Sequence, residues 1–130
     1  MGHYLSEPKT EKVSQCGKAD SSLNLTYSAV SMQGWRRTME DALIVNLSLG
    51  GGQQGGDDAA LFGVFDGHGG REVAEFCARE IEAILQGLES FQRQEYETAL
   101  RECFIELDTQ LSQLEGQNKI VQISREIQEE

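Results

Sequence analysis

The residues of this chain with the types and spacing for chemistry are Asp66-Gly67-His68-Gly69-Gly70, a carboxylate, an imidazole and three glycines in consecutive positions. A hard cation such as Mg²⁺ or Mn²⁺ takes oxygen ligands, and an Asp carboxylate followed by an accessible Gly carbonyl supplies two of them. His68 adds a group able to donate a proton near neutral pH. Glycine has no Cβ, so the backbone here can turn sharply and approach an ion or ligand closely. The simpler alternative is an Asp-Gly turn closing a strand.

Two short strands must position these groups. Residues 60–65 are an apolar run rich in aromatic and β-branched side chains, which predicts a buried strand ending on Asp66. In Ala42–Leu49, Leu43, Val45 and Leu47 alternate with Ile44, Asn46 and Ser48, the period of a strand. The glycine-rich stretch 50–58 between them is long for a hairpin but consistent with one. Antiparallel pairing of 42–49 with 59–65 sets the start of the first strand beside the end of the second. Glu40 and Asp41 then come next to Asp66, facing residues being roughly 5 Å apart. Three carboxylates that close are costly unless a cation neutralises them. The alternative is a solvated acidic strand end in which Arg36 or Arg37 pairs with one of them.

Composition bounds what such a site can serve. The 130 residues suffice for about one domain or part of one. A formal net charge of −11 argues against nucleic acid as a partner, since phosphate-backbone binding needs clustered Lys and Arg. Cys16, Cys77 and Cys103 are odd in number and lack CxxC or Cys/His ligand spacing, which points to a reducing compartment and neither a disulfide framework nor a zinc site. No stretch approaches the roughly 20 apolar residues that span a bilayer, and no secretory segment follows the start. Met1-Gly2-His3-Tyr4-Leu5-Ser6 matches the N-myristoylation pattern at Gly2. One acyl chain is a marginal, reversible anchor, and Lys9, Lys12 and Lys18 are diluted by Glu7, Glu11 and Asp20. The expectation is therefore a cytoplasmic protein, with weak peripheral membrane attachment if Gly2 is acylated; the sequence leaves acylation and a nuclear location open.

Elsewhere the chain reads as scaffold. Residues 7–24 are polar, hold the one proline, Pro8, and read as an extended arm or loop with room for a short strand near 12–14. Residues 25–33 predict a half-buried strand ending at Gly34. Val73, Cys77, Ile81, Ile84 and Leu88 recur at helical spacing, and Gly87 and Ser90 mark that helix's end. A second helix over 94–114 carries the stripe Tyr96, Leu100, Cys103, Phe104, Leu107, Leu111 and Leu114. Gly116-Gln117-Asn118 breaks the pattern, leaving Ile120, Val121, Ile123 and Ile127 for one more amphipathic segment or an unsettled tail.

Two motifs in fixed order carry a family resemblance. Ser31-Met32-Gln33-Gly34-Trp35-Arg36 with Met39-Glu40-Asp41-Ala42, followed by Val64-Phe65-Asp66-Gly67-His68-Gly69-Gly70, resembles the metal-dependent serine/threonine protein phosphatases of type 2C. The likeness runs over roughly residues 1–88 and includes a Met-Gly start similar to that of myristoylated members; beyond it the tail matches only in being helical.

The resemblance implies an α/β (α+β) fold, a sandwich of two antiparallel sheets flanked by helices, and hydrolysis of phosphoserine and phosphothreonine in proteins by a water activated between two Mg²⁺ or Mn²⁺ ions. Carried onto this sequence, it implies that Asp66 and the Gly67 carbonyl bind metal, that Glu40 and Asp41 do so directly or through water, that Arg36 binds the substrate phosphate, and that His68 protonates the leaving oxygen. Arg37 inherits no role. The family's later Asp-Gly and Asp-Asn motifs have no counterpart, Asp66-Gly67 being the one Asp-Gly in the chain. Residues 25–130 are accordingly expected to be the N-terminal portion of a catalytic domain behind an arm at 1–24, and the isolated chain to be inactive. The competing class is a non-catalytic truncated binding or regulatory module.

Overall fold

The computed structural model describes residues 4–19, 23–50 and 59–129. Gly2, and the glycine-rich connection beyond Gly50, lie outside the described residues.

Strand β1 (Tyr4–Lys18) pairs antiparallel with β2 (Thr26–Arg36). The register is regular from Lys12↔Met32 to Lys18↔Thr26 and shifts on either side of Lys9. Pro8 sits inside the irregular part, where a residue without an N–H costs no regular ladder bond. At the other end the Ala19 N–H donates to the Leu25 carbonyl at 2.9 Å, and Asn24 takes a left-handed φ of 47°. The stretch expected to be an arm or loop is therefore mostly strand. Its polar composition concealed this because most of β1 is exposed to solvent, so little hydrophobic alternation is required; backbone pairing with β2 supplies the order. β2 also continues past its expected end, through Gly34 at φ 65°, to Arg36.

Strands β3 (Ala42–Leu49) and β4 (Ala59–Phe65) form the expected antiparallel pair. The register runs Ala42↔Phe65, Leu43↔Val64, Ile44↔Gly63, Val45↔Phe62 and Asn46↔Leu61, with an irregularity before Leu49↔Ala59. Strand alternation gives this sheet two apolar faces. Ile44, Leu61 and Phe65 pack toward the helical core. Leu43, Val45, Phe62 and Val64 face the β1–β2 sheet across a cleft of about 870 Å³, which Val13, Tyr27, Val30 and Met32 line from the other side. The Tyr27 and Phe62 rings bridge it at a centroid distance of 5.9 Å.

Four helices follow among the described residues: α1 (Glu72–Gly87), α2 (Glu89–Gln92), α3 (Tyr96–Ser112) and α4 (Leu114–Glu129). The fold is α+β, as expected. The core joins Phe76, Ile81, Ile84 and Leu85 of α1 to Ala99, Cys103 and Leu107 of α3, Ile123 of α4 and Leu49 of β3. The buried arc of α1 is rotated from the expected stripe. Phe76 and Leu85 are buried while Val73 is exposed, because α1 is enclosed by the β3–β4 sheet, α3 and α4 together rather than by one flat partner. On α3 the buried residues are Ala99, Cys103 and Leu107, whereas Tyr96, Leu100, Phe104 and Leu114 just beyond its end are exposed.

The last break falls at Gln113, in extended conformation, rather than at 116–118. Gly116 is buried inside α4 with its Cα against the Gln110 carbonyl, closer than any Cβ would allow. Its glycine serves close helix approach, not helix termination. Arg79 to Glu126 at 2.8 Å and Lys119 to Glu80 at 3.0 Å tie α4 across α1.

Candidate functional site

The β3–β4 register builds the site. With Ala42 opposite Phe65, the segment entering β3, from Arg36 to Asp41, lies beside the segment leaving β4, from Asp66 to Gly70. Gly67 makes this approach possible, since a Cβ there would run into the Glu40 carbonyl oxygen. Gly69 and Gly70 take φ values of 74° and 134°, conformations that glycine adopts without the steric cost other residues meet. Asp41, Asp66 and His68 are exposed at this end of the sheet.

Glu40 joins the two segments. Its carboxylate accepts a 2.7 Å hydrogen bond from the Thr38 hydroxyl, and the backbone N–H groups of Gly70 and Gly69 lie close enough to favour its charged form. Its carboxyl is held below the usual carboxylate range, first by Thr38, then by the Gly70 amide, the Arg36 charge and the Gly69 amide, against some desolvation. Arg36 is thus near enough for its charge to be felt at Glu40, while its exposed guanidinium has no hydrogen-bond or salt-bridge partner among the described residues. The Arg36 backbone is held instead: the Gln33 side-chain amide donates to both the Arg36 and the Arg37 carbonyls at 2.8 Å.

Every site residue expected from the sequence, Gly2 apart, lies on these two neighbouring segments. The backbones converge as the hairpin argument required, but the carboxylates do not form one shell. Among the described residues no three Asp, Glu, His or Cys side chains gather as a metal-holding group. The Glu40 carboxylate is instead bonded to the Thr38 hydroxyl and lies near the amides of the glycine turn. The donor set, Asp41, Asp66 and the Gly67 carbonyl, is entirely hard oxygen, and its chemistry fits Mg²⁺ or Mn²⁺ at one side of an oxygen-ligated site. Thr38 and Gln33 were missed by sequence reasoning. The available signals were a hydroxyl two residues before Glu40 and a side-chain amide just ahead of the Gly34 bend, which folds Gln33 back on residues three and four further on.

Comparison with known proteins gives a match that spans both motif segments. The family model described as "Protein phosphatase 2C" matches residues 25–125. The chain is 46% identical over 123 residues to "Probable protein phosphatase 2C 4" of Paramecium tetraurelia, covering 95% of this chain and 38% of that protein. It is 42% identical over 122 residues to "Protein phosphatase 2C 1" of the same organism, with 94% and 38% covered. Against "Probable protein phosphatase 2C 21" of Arabidopsis thaliana it is 42% identical over 116 residues, 89% of this chain and 30% of that protein. The chain therefore spans less than two fifths of the length of these relatives. The likeness extends well past residue 88, so α3 and most of α4 belong to it as well as the motif segments.

Proposed function

Because the chain belongs to the protein phosphatase 2C family, matched over residues 25–125, we propose that it forms the N-terminal part of a metal-dependent protein serine/threonine phosphatase domain. The observation that carries this reading is the meeting of the two motif segments, Arg36–Asp41 and Asp66–Gly70, at one end of the β3–β4 pair.

Each residue has a task there. Arg36 presents a planar guanidinium with no hydrogen-bond or salt-bridge partner among the described residues, matched to two oxygens of a phosphoserine or phosphothreonine phosphate. Asp66, Asp41 and the Gly67 carbonyl would hold a divalent cation. The Glu40 carboxylate already accepts the Thr38 hydroxyl and lies near the Gly70 and Gly69 amides, which supports contact with a cation through water rather than direct ligation. His68, on the turn, delivers a proton to the departing seryl or threonyl oxygen. Bound Mg²⁺ or Mn²⁺ supplies an activated water and offsets the phosphate charge.

Asp41, Asp66 and the Gly67 carbonyl cover one side of such a site. The remaining ligands would come from the later aspartate motifs of the full-length protein. The isolated 130 residues, given millimolar-scale Mn²⁺ as suits weak oxygen sites, should hydrolyse p-nitrophenyl phosphate no faster than their Asp66→Asn variant. The full-length protein, continued through the later aspartates, should hydrolyse it, and should lose activity to chelator and to Asp66→Asn. A full-length protein without Asp66-dependent turnover would sink the phosphatase reading and favour a non-catalytic module. Robust Asp66-dependent turnover by the 130 residues would sink the incomplete-domain reading.

A further inference from the structure

We infer that Gln33 is a positioning residue for the phosphate-binding arginine, acting on Arg36 through the main chain; the inference rests on the phosphatase reading above. A long, exposed side chain is an effective anion clamp only if something limits its freedom, since an arginine loses rotamer entropy when it is fixed. The Arg36 guanidinium has no hydrogen-bond or salt-bridge partner among the described residues, so nothing there holds it by its head. What is held is its root. The Gln33 side-chain nitrogen has two N–H donors and spends one on the Arg36 carbonyl and one on the Arg37 carbonyl, both at 2.8 Å.

The clamp depends on the bend between its ends. Gly34, at φ 65°, turns the chain immediately after Gln33, so that the side chain of residue 33 meets the carbonyls of residues 36 and 37. With both peptide oxygens directed at one amide, the orientation of the peptides on either side of Arg37 is fixed, and with it the direction in which Arg36 leaves the main chain. At the far end of the same segment, Thr38 and the glycine turn hold Glu40. Arg36 thus projects from the end of β2, where it lies opposite Tyr4, and the segment that follows it is tied at both ends; the Gln33 tie is the side-chain contact on the Arg36 main chain. A residue in this role contributes to binding the phosphate group and not to the bond-breaking step.

The test uses the full-length enzyme, a phosphopeptide substrate and inorganic phosphate as a competing product. Gln33→Leu removes both donors at similar volume. It should raise KM and the phosphate inhibition constant about tenfold, the scale on which misplaced binding groups act, with kcat within about twofold of the parent enzyme. In an Arg36→Ala background the same substitution should change neither constant, because a residue that acts through another has no effect once that other is gone. Gln33→Glu, which keeps the shape but turns acceptors toward two carbonyls, should reproduce the Leu result. An equal KM penalty with and without Arg36, a fall in kcat at unchanged KM, or loss of folding by both variants in circular dichroism would assign Gln33 to structure alone and overturn the proposal. An inactive parent enzyme would instead strike the phosphatase reading itself.

Discussion

At the scale of single residues, glycine and glutamate decide the site more than its exposed acids do. Gly67 lets the turn after β4 touch the main chain before β3, which leaves Glu40 bonded to the Thr38 hydroxyl and close to the Gly69 and Gly70 amides. A methyl group at 67 meets backbone, which cannot swing aside as a side chain would. Gly67→Ala should therefore destabilise the chain by about 1–3 kcal/mol, the usual cost of overpacking, and should separate the two segments. Urea unfolding reads the first effect, and cross-peaks between the amides of 69 and 70 and the Glu40 side chain read the second. Stability and cross-peaks unchanged by the substitution would show that the turn has room the geometry does not indicate.

At the scale of elements, α4 is fastened to α1 by side chains whose charge state can be changed from outside. Arg79 bonds both Glu75 on its own helix and Glu126 on α4. Glu126 is held below the ordinary carboxylate range, chiefly by Arg79 and secondarily by Gln122. A carboxyl depressed by folding stabilises the folded state above its unfolded value, and that contribution is lost as pH falls through the lower folded value. The melting temperature should accordingly fall as pH is lowered from about 5 to about 3, where carboxylates titrate, and the fall should be shallower in Glu126→Gln. The difference will be small, because exposed ion pairs are screened by water and salt. Parallel pH profiles for the two proteins would show that Arg79–Glu126 contributes nothing to α4 docking.

At the scale of the whole molecule, the helices enclose one face of the β3–β4 sheet and leave the other face bare. Val13 at 72%, Val30 at 62% and Val64 at 69% exposure line the cleft between the sheets together with Phe62 and Leu43. Contiguous apolar surface of this kind marks an interface or a core without its cover. In solution the 130-residue chain should bind an apolar dye such as anilinonaphthalene sulfonate, and Phe62→Ser with Val64→Thr should reduce the signal severalfold. On the incomplete-domain reading proposed above, a longer protein whose further strands cover the same residues should bind little. Dye binding that is absent from the isolated chain, or undiminished by those substitutions, would contradict an open cleft.

The sequence by itself determined local periodicity and the pairings that periodicity dictates. The alternation in 42–49, the apolar run before Asp66 and the glycines between them set two strands, their antiparallel pairing and so the neighbourhood of Glu40, Asp41 and Asp66. The two ordered motifs also pointed to the family. Tertiary structure alone decided the matters that depend on which surface meets which. The polar segment 4–18 is a strand because β2 is there to pair with it, α1 buries Phe76 and Leu85 because three partners surround it, and Gly116 is a packing residue because α3 turns back against α4. Glu40 belongs to the same class. Its type and position suggested a metal ligand, directly or through water; that the Gly69 and Gly70 amides, distant in sequence, come near it is the work of the fold. A side chain's partner is a non-local property, and one strand's pattern of apolar and polar residues carries no record of it.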